Sequence, residues 1–263
     1  MSTGTPVEPA ALRASVRVKY AEVAAHPDGE FHFRTGRSLA RLLDYDGDLV
    51  AALPDRAVES FAGVANPFSL RPLCQGDRVV DVGSGAGFDS IVAAHLVGDD
   101  GEVVGVDMTP DMLAKSRETV RLMGLDHHVE FREGLAESLP VDDGWADVVI
   151  SNGVLNLVAD KDRALAEIYR VLSPEGRLQF ADIAVGALVP AAAVCNIDLW
   201  TDCIAGGLSC DEWRLRLTAA GFAGVRIGPP VDIYSGTPGQ ANARRYQVFG
   251  YPFSARRPRR AAG

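Results

Sequence analysis

The chain has 263 residues and a formal charge of −9, from 26 Lys and Arg against 35 Asp and Glu. Apolar residues make up 47% and charged residues 23%, enough to fill one large core, which excludes wholesale disorder; the glycines follow no triplet repeat, which excludes a collagen-like fibre. The acidic balance argues against a nucleic-acid partner, because the one basic cluster (Arg256, Arg257, Arg259 and Arg260) is terminal and reads as a solvated, frayed tail.

No run approaches the roughly 20 apolar residues of a membrane span. The longest weakly polar stretch, near Ile183 to Val194, contains Pro190. Met1 to Ala11 lacks the basic start and apolar stretch of a secretory signal. Cys74, Cys195, Cys203 and Cys210 include no CxxC pair and are too few for a disulfide scaffold. These observations predict a cytoplasmic protein with reduced thiols and no membrane association.

Small, polar and Pro-containing, residues 1–11 read as a disordered start. A helix is predicted over Ala10 to Ala25, where Leu12, Val16, Tyr20 and Val23 recur at helical spacing and His26-Pro27-Asp28-Gly29 ends the pattern. Short helices are predicted over Ser38 to Leu43 and Asp46 to Leu53, and a loop over Phe61 to Leu70. Residues 12–70 are therefore expected to form a helical lid. The rhythm then changes to alternating strands and helices. Strands are predicted at Arg78–Gly83, Val103–Asp107, Val129–Glu133, Asp147–Ser151 and Arg177–Asp182, with helices at Phe88–Val97, Pro110–Met123 and Lys161–Leu172. Such alternation implies an α/β domain around a mostly parallel sheet, here residues 71–253 with an insertion around 186–210, in which a helix is expected from Ala191 to Cys203. A helix over Asp211 to Ala220 with Leu215 on its apolar side, then strands at Val225–Ile227 and Tyr246–Phe249, complete the pattern. Residues 254–263 form the basic tail.

The sharpest chemical signal is Asp81-Val82-Gly83-Ser84-Gly85-Ala86-Gly87, set between a strand and a helix. Glycines there allow a tight turn and let a ligand lie against the backbone. The third glycine falls one residue early for the dinucleotide fingerprint GxGxxG, and the Lys and Ser/Thr of a P-loop are missing. GxGxG preceded by an acid resembles the S-adenosylmethionine loop of class I methyltransferases. That cofactor carries an ammonium and a sulfonium, which an acidic residue suits, and no phosphate. Asp107 ends the second strand, where a carboxylate can accept from both ribose hydroxyls, with Met108 beside it. Ala136 and Glu137, after the third strand, are placed to meet the adenine, and Asn152, after the fourth, to face the methyl group. The cofactor-binding set expected is thus Asp81, Gly83, Ser84, Gly85, Asp107, Met108, Ala136, Glu137 and Asn152, with S-adenosylhomocysteine as product.

From about Pro67 to Ile227 the chain resembles the arsenite methyltransferases. The narrow motifs are DMTPDM within Gly105 to Glu118, SNGVLNL within Ala146 to Leu157, and LWTDCIAGGLS from Leu199 to Ser209. The resemblance implies a seven-stranded Rossmann-like sheet of order 3-2-1-4-5-7-6 with strand 7 antiparallel. It also implies cysteine thiolates that hold trivalent arsenic. At two of the three family cysteine positions this chain has Val64 and Gly153, and only Cys203 matches. The acceptor is therefore expected to be a small molecule, either an organic nucleophile in a pocket walled by Val64, Gly153, Trp200 and the lid, or a trivalent arsenical. A non-catalytic S-adenosylmethionine-binding protein of the same fold is the alternative.

Methyl transfer from a sulfonium is a direct displacement, so the protein's main tasks are alignment and exclusion of water, with a base for some nucleophiles. Candidates are Cys203 for the acceptor, His32 in the lid, and Asp182 at the expected end of the fifth strand. His127-His128 reads as a solvated turn with no metal-ligand spacing nearby, so no metal is expected.

Overall fold

A computed structural model describes residues 7–29, 31–186, 200 and 206–259. Valine-rich runs bounded by turns form the strands, because β-branched side chains fit a pleated surface covered on both faces. Strands β1 (Arg78–Val82), β2 (Glu102–Asp107), β3 (Val129–Glu133), β4 (Ala146–Asn152) and β5 (Leu172–Val185) run parallel to one another. Strands β6 (Ala223–Ile227) and β7 (Val248–Arg256) complete a sheet of order β3-β2-β1-β4-β5-β7-β6, with β7 antiparallel to both neighbours. The expected topology is the one observed.

Strand periodicity distributes the core to both faces. Val79, Val103, Val129 and Val148 point to one face, where they meet α5 (Phe88–Val97), α6 (Pro110–Leu122) and the N-terminal helices. Val80, Val82, Val104, Val106 and Val149 point to the other, against α7 (Lys161–Val171) and α8 (Cys210–Ala219). The N-terminal helices are α1 (Pro9–Ala25), α2 (Gly36–Leu42), α3 (Gly47–Ala52) and α4 (Asp55–Val58). Helix α1 buries Leu12, Val16 and Val23, the expected apolar stripe. Lys115 of α6 fastens this layer by donating to Ser60 Oγ at 2.8 Å and Ala24 O at 3.3 Å and pairing with Glu59.

Several sequence expectations are corrected. Residues 7–11, read as part of a disordered start, are ordered: Pro9 opens α1, the Glu8 side chain caps it by accepting from Ala10 N and Ala11 N, and Val7 is buried. Strand β5 runs three residues past Asp182, because β7 pairs with it from Arg177↔Arg256 to Val185↔Val248. In α8 the core residues are Trp213 and Leu217, while Leu215 is 70% exposed. The last strand begins at Val248: Ala243 and Tyr246 bury one face of a further helix, α9 (Gln240–Tyr246), which the left-handed Gln247 ends. The first part of the basic tail is consequently sheet rather than frayed chain. Arg257, just beyond β7, donates to the carbonyls of Tyr169 (2.9 Å), Arg170 (3.3 Å) and Leu172, with its guanidinium over the Tyr169 ring. The helix expected at Ala191 to Cys203 lies outside the described residues apart from Trp200. Among the described residues no helix is long and apolar enough to cross a membrane.

Candidate functional site

The carboxyl ends of β1, β2, β3 and β4 open into one cavity of about 1060 Å³, counting its mouth. That is the crevice where open parallel sheets place ligands. Its roof comes from α1, through Arg13, Val16 and Tyr20, and from the segment Ser60 to Gly63.

The glycine loop forms the floor. Gly83, Gly85 and Gly87 all have positive φ (75°, 52° and 90°), a region that side chains other than glycine's rarely adopt. At Gly83 a Cβ would stand 2.2 Å from Val154 Cγ2, and at Gly87 2.9 Å from Phe131 Cζ. Gly83 N and Ser84 N donate to Val106 O at 2.7 and 3.0 Å, which ties the loop to β2.

Asp107 is positioned by the same loop. Its Oδ2 accepts from Gly85 N at 2.8 Å and its Oδ1 from Thr109 N at 2.8 Å. Burial raises its pKa, and the two backbone N–H groups work against that rise by favouring the anion.

Two more carboxylates sit deeper. Asp81 is 2% exposed, and its Oδ2 accepts from Ser90 Oγ at 2.6 Å. Asp89 is 7% exposed; it takes the Tyr45 hydroxyl at 2.6 Å on Oδ1 and Asn152 Nδ2 at 3.0 Å on Oδ2. Burial pushes Asp89 up to about 6, against the pull of its two donors. Asp81 is raised well above the carboxylate range by burial and by the neighbouring Asp89 charge. Both line the cavity; burial beside the Asp89 charge holds Asp81 towards its neutral form, so the negative charge at this end rests on Asp89.

Asn152 also lines the cavity, but its amide serves the protein. Nδ2 donates to Asp89 Oδ2, to Ala65 O at 3.0 Å and to Tyr45 Oη at 3.1 Å, while Oδ1 accepts from Val64 N at 2.8 Å. It thereby holds the turn of residues 62–66 against β4. Gly63 must be glycine there, since a Cβ would stand 2.5 Å from Asn152 Nδ2. That turn brings Val64 over Gly153: a Cβ on Gly153 would be 3.3 Å from Val64 Cγ1. Val64 and Gly153, the positions at which the resemblance implies cysteines, thus face each other, valine methyls against a bare glycine. Ala62, Gly63, Asn152, Val154 and Leu157 line the cavity here; among the described residues, Val64, Gly153 and Trp200 of the expected acceptor pocket are not in its lining.

Of the cofactor set, Asp81, Gly83, Ser84, Gly85, Asp107, Met108, Ala136, Glu137 and Asn152 all line this one cavity. Glu137, at the mouth, faces Arg13 Nη1 at 3.6 Å. The catalytic candidates are scattered. His32 is not in the lining; its ring packs edge-on against Phe33 and its carbonyl lies against Gly239. Asp182 is fully buried behind the wall. Its Oδ2 accepts from Asn156 N at 3.0 Å and Oδ1 from Ile183 N at 2.7 Å, and burial raises its pKa to about 6. Those bonds hold the 3₁₀ turn Leu155–Leu157, the next turn of the wall, which Lys161 also caps by donating to Asn156 O and Val158 O at 2.9 Å each. Cys203 lies outside the described residues. Sequence reasoning overlooked Asp89 and Tyr45; Asp89 stands directly after the glycine loop, whereas nothing local marks Tyr45.

The residues present fit S-adenosylmethionine. Ser84 Oγ is buried in the lining with no hydrogen-bond partner among the described residues, the Asp107 carboxylate lines the cavity beside the glycine loop, and Asp89 supplies negative charge where a cationic methionine end would lie, with Asp81 beside it as a polar partner. A sheet of this order with this loop and this acid defines a class I S-adenosylmethionine-dependent methyltransferase fold. The methyltransferase-domain family matches residues 73–221. The arsenite methyltransferase of Halobacterium salinarum is 43% identical over 195 residues, covering 74% of this chain and 49% of that protein. The one from Aquipseudomonas alcaligenes is 38% identical over 166 residues, covering 59% and 46%. The crystal structure of an arsenic(III) S-adenosylmethionine methyltransferase from Chlamydomonas reinhardtii superposes with a TM-score of 0.69 at 32% identity, covering 80% of this chain and 71% of that one. The chain belongs to the methyltransferase-domain family and, within it, to the arsenite methyltransferase group. It spans about half the length of the two arsenite methyltransferases aligned by sequence.

Proposed function

We propose that the chain transfers a methyl group from S-adenosylmethionine to a small organic nucleophile. When bound, the cofactor supplies a methyl carbon made electrophilic by its sulfonium. Asp107 would accept from the ribose hydroxyls, the backbone of Gly83 to Gly85 would pass beneath the nucleoside, and Ala136 and Glu137 would border the adenine. Asp81 and Asp89 would hold the cationic methionine end, with Tyr45 and Asn152 keeping the Asp89 carboxylate in place. Tyr20, Val16 and the Ser60 to Gly63 segment would exclude water, so that a nucleophile entering beside Val154 and Leu157 is aligned with the methyl.

The contact of Val64 with Gly153 carries the choice of acceptor. A soft trivalent arsenic needs about three thiolates to fix its geometry. Two of the family positions here offer hydrocarbon, which leaves Cys203 alone to orient it. Family membership and Cys203 favour the second reading, a trivalent arsenical. The overall charge of −9 supports a small-molecule partner over a nucleic acid. A cytoplasmic setting is part of the proposal, supported by the free thiols Cys74 and Cys210.

The test is a methylation assay with arsenite and glutathione on the wild type and Cys203→Ser, alongside calorimetric binding of S-adenosylhomocysteine. Micromolar binding with no arsenical product in either protein is expected. Robust turnover abolished by Cys203→Ser overturns the organic acceptor in favour of arsenic. Absence of S-adenosylhomocysteine binding overturns the cofactor. Binding without turnover against a mixed metabolite extract would instead support a non-catalytic sensor.

A further inference from the structure

We propose that Asp99, His127 and His128 form a binding site for a divalent transition metal of the zinc class, at the end of the sheet opposite the glycine loop. The inference is independent of the methyl-transfer reading.

In sequence these residues are far apart. Asp99 lies in the turn between α5 and β2, and His127 and His128 in the turn between α6 and β3. Parallel pairing of β2 with β3 from Val103↔Val129 brings the two turns side by side, and Val103 N donates to His128 O at 2.9 Å. One ligand atom from each of the three side chains then lies within 4.8 Å of the other two.

The imidazoles are already oriented. His127 Nδ1 lies 2.9 Å from Gly124 O. A carbonyl only accepts, so Nδ1 carries the proton and Nε2 presents its lone pair. Metal-binding histidines are commonly held this way, by a backbone carbonyl on the far nitrogen. That lone pair meets His128 Nδ1 at 2.7 Å. Without metal, His128 Nδ1–H donates to that lone pair; a dication can take the place of this proton when it passes to His128 Nε2, the neutral tautomer that frees Nδ1 to bind. Two nitrogens bound tetrahedrally at about 2.0–2.1 Å from zinc stand roughly 3.3 Å apart, so a ring movement of about half an ångström admits the ion. Asp99, exposed at the surface, contributes the third ligand and a negative charge, and water completes the shell. A set of two nitrogens and one carboxylate suits Zn²⁺, Co²⁺ or Ni²⁺, whereas Ca²⁺ and Mg²⁺ prefer oxygens throughout. Also, His128 Nε2 is buried with no partner among the described residues, so the ring's anchoring rests on its Nδ1 side.

The probe is Co²⁺, titrated into the full, tag-free chain and followed by visible absorption, with Zn²⁺ competition and thermal unfolding. Expected are saturation at one equivalent, d–d bands without thiolate charge transfer, displacement by Zn²⁺, and a higher unfolding midpoint with Zn²⁺. His127→Ala should weaken binding at least about tenfold. The double variant His127→Ala/His128→Ala should lose both the spectrum and the stabilisation while keeping its circular dichroism and S-adenosylhomocysteine affinity. No saturable binding, a thiolate charge-transfer band, or unchanged affinity in the double variant would each overturn the site.

Discussion

The Tyr45 hydroxyl donates to Asp89 Oδ1 at 2.6 Å, joining the N-terminal cap to the first helix after the glycine loop. Both groups are buried, and the carboxylate is among those lining the cofactor cavity. One bond thus couples closure of the cap to the electrostatics of the site. Removing it leaves a buried carboxylate with one donor fewer.

Tyr45→Phe keeps the ring contacts with Phe61, Phe68 and Phe88 and deletes only the hydroxyl. A hydrogen bond to a charged group is worth about 1.5–3 kcal/mol. We expect destabilisation of that order in urea unfolding at pH 7, accompanied by weaker S-adenosylhomocysteine binding. Unchanged stability would show that Asp89 is held by Asn152 alone.

Asp107→Ala should weaken S-adenosylhomocysteine binding by on the order of 1.5–3 kcal/mol for each charged hydrogen bond lost, tenfold or more. The variant also frees Gly85 N and Thr109 N, so loop order falls with affinity. Asp107→Asn retains one acceptor and should lie between. Calorimetry at constant pH separates the three; equal affinities would remove Asp107 from the ribose site.

Much of this site was legible in the sequence because its parts are local. The loop from Gly83 to Gly87 and the acid at the end of β2 follow from short motifs read in register, and all nine expected cofactor positions converge on one cavity. What was missed depends on long-range pairing. Tyr45 meets Asp89 across 44 residues, and Asn152 meets Val64 across 88. Asp182 looked like a strand end because its run of apolar residues is broken there, yet the antiparallel partner β7 carries the strand further. Leu215 fitted an apolar face by type, but the crossing of α8 over the sheet chose Trp213 and Leu217 instead.

Asp182 offers a pH signature. Its folded pKa is raised to about 6 from an ordinary carboxyl value of 3.8, chiefly by burial. The folded state therefore binds the extra proton between those values, and stability falls as pH rises through that window, levelling off above pH 6. From pH 4.5 to 7 the group's contribution amounts to about 2 kcal/mol of lost stability. Asp182→Asn, which cannot ionise, should flatten the fall by that amount in urea titrations at the two pH values. A profile identical to wild type would mean that Asp182 titrates normally.

Arg257 supplies the last test, because composition alone placed it in a frayed tail. Its guanidinium instead donates to carbonyls at the carboxyl end of α7, where the helix dipole is negative, and stacks 4.8 Å from the Tyr169 ring centre. Its own backbone N–H donates to Gly176 O at 2.8 Å, and its carbonyl accepts from Glu175 N at 3.0 Å, so the residue is fixed from both sides. Arg257→Ala leaves those carbonyls without their donor and should cost about 1.5–3 kcal/mol. Arg259, two residues on, is exposed, and Arg259→Ala should change stability by no more than about 0.5 kcal/mol. Paired thermal unfolding of the two variants checks the contrast directly: equal midpoints would return Arg257 to the solvated tail, and a drop confined to Arg257→Ala would make it the clamp between β7 and α7.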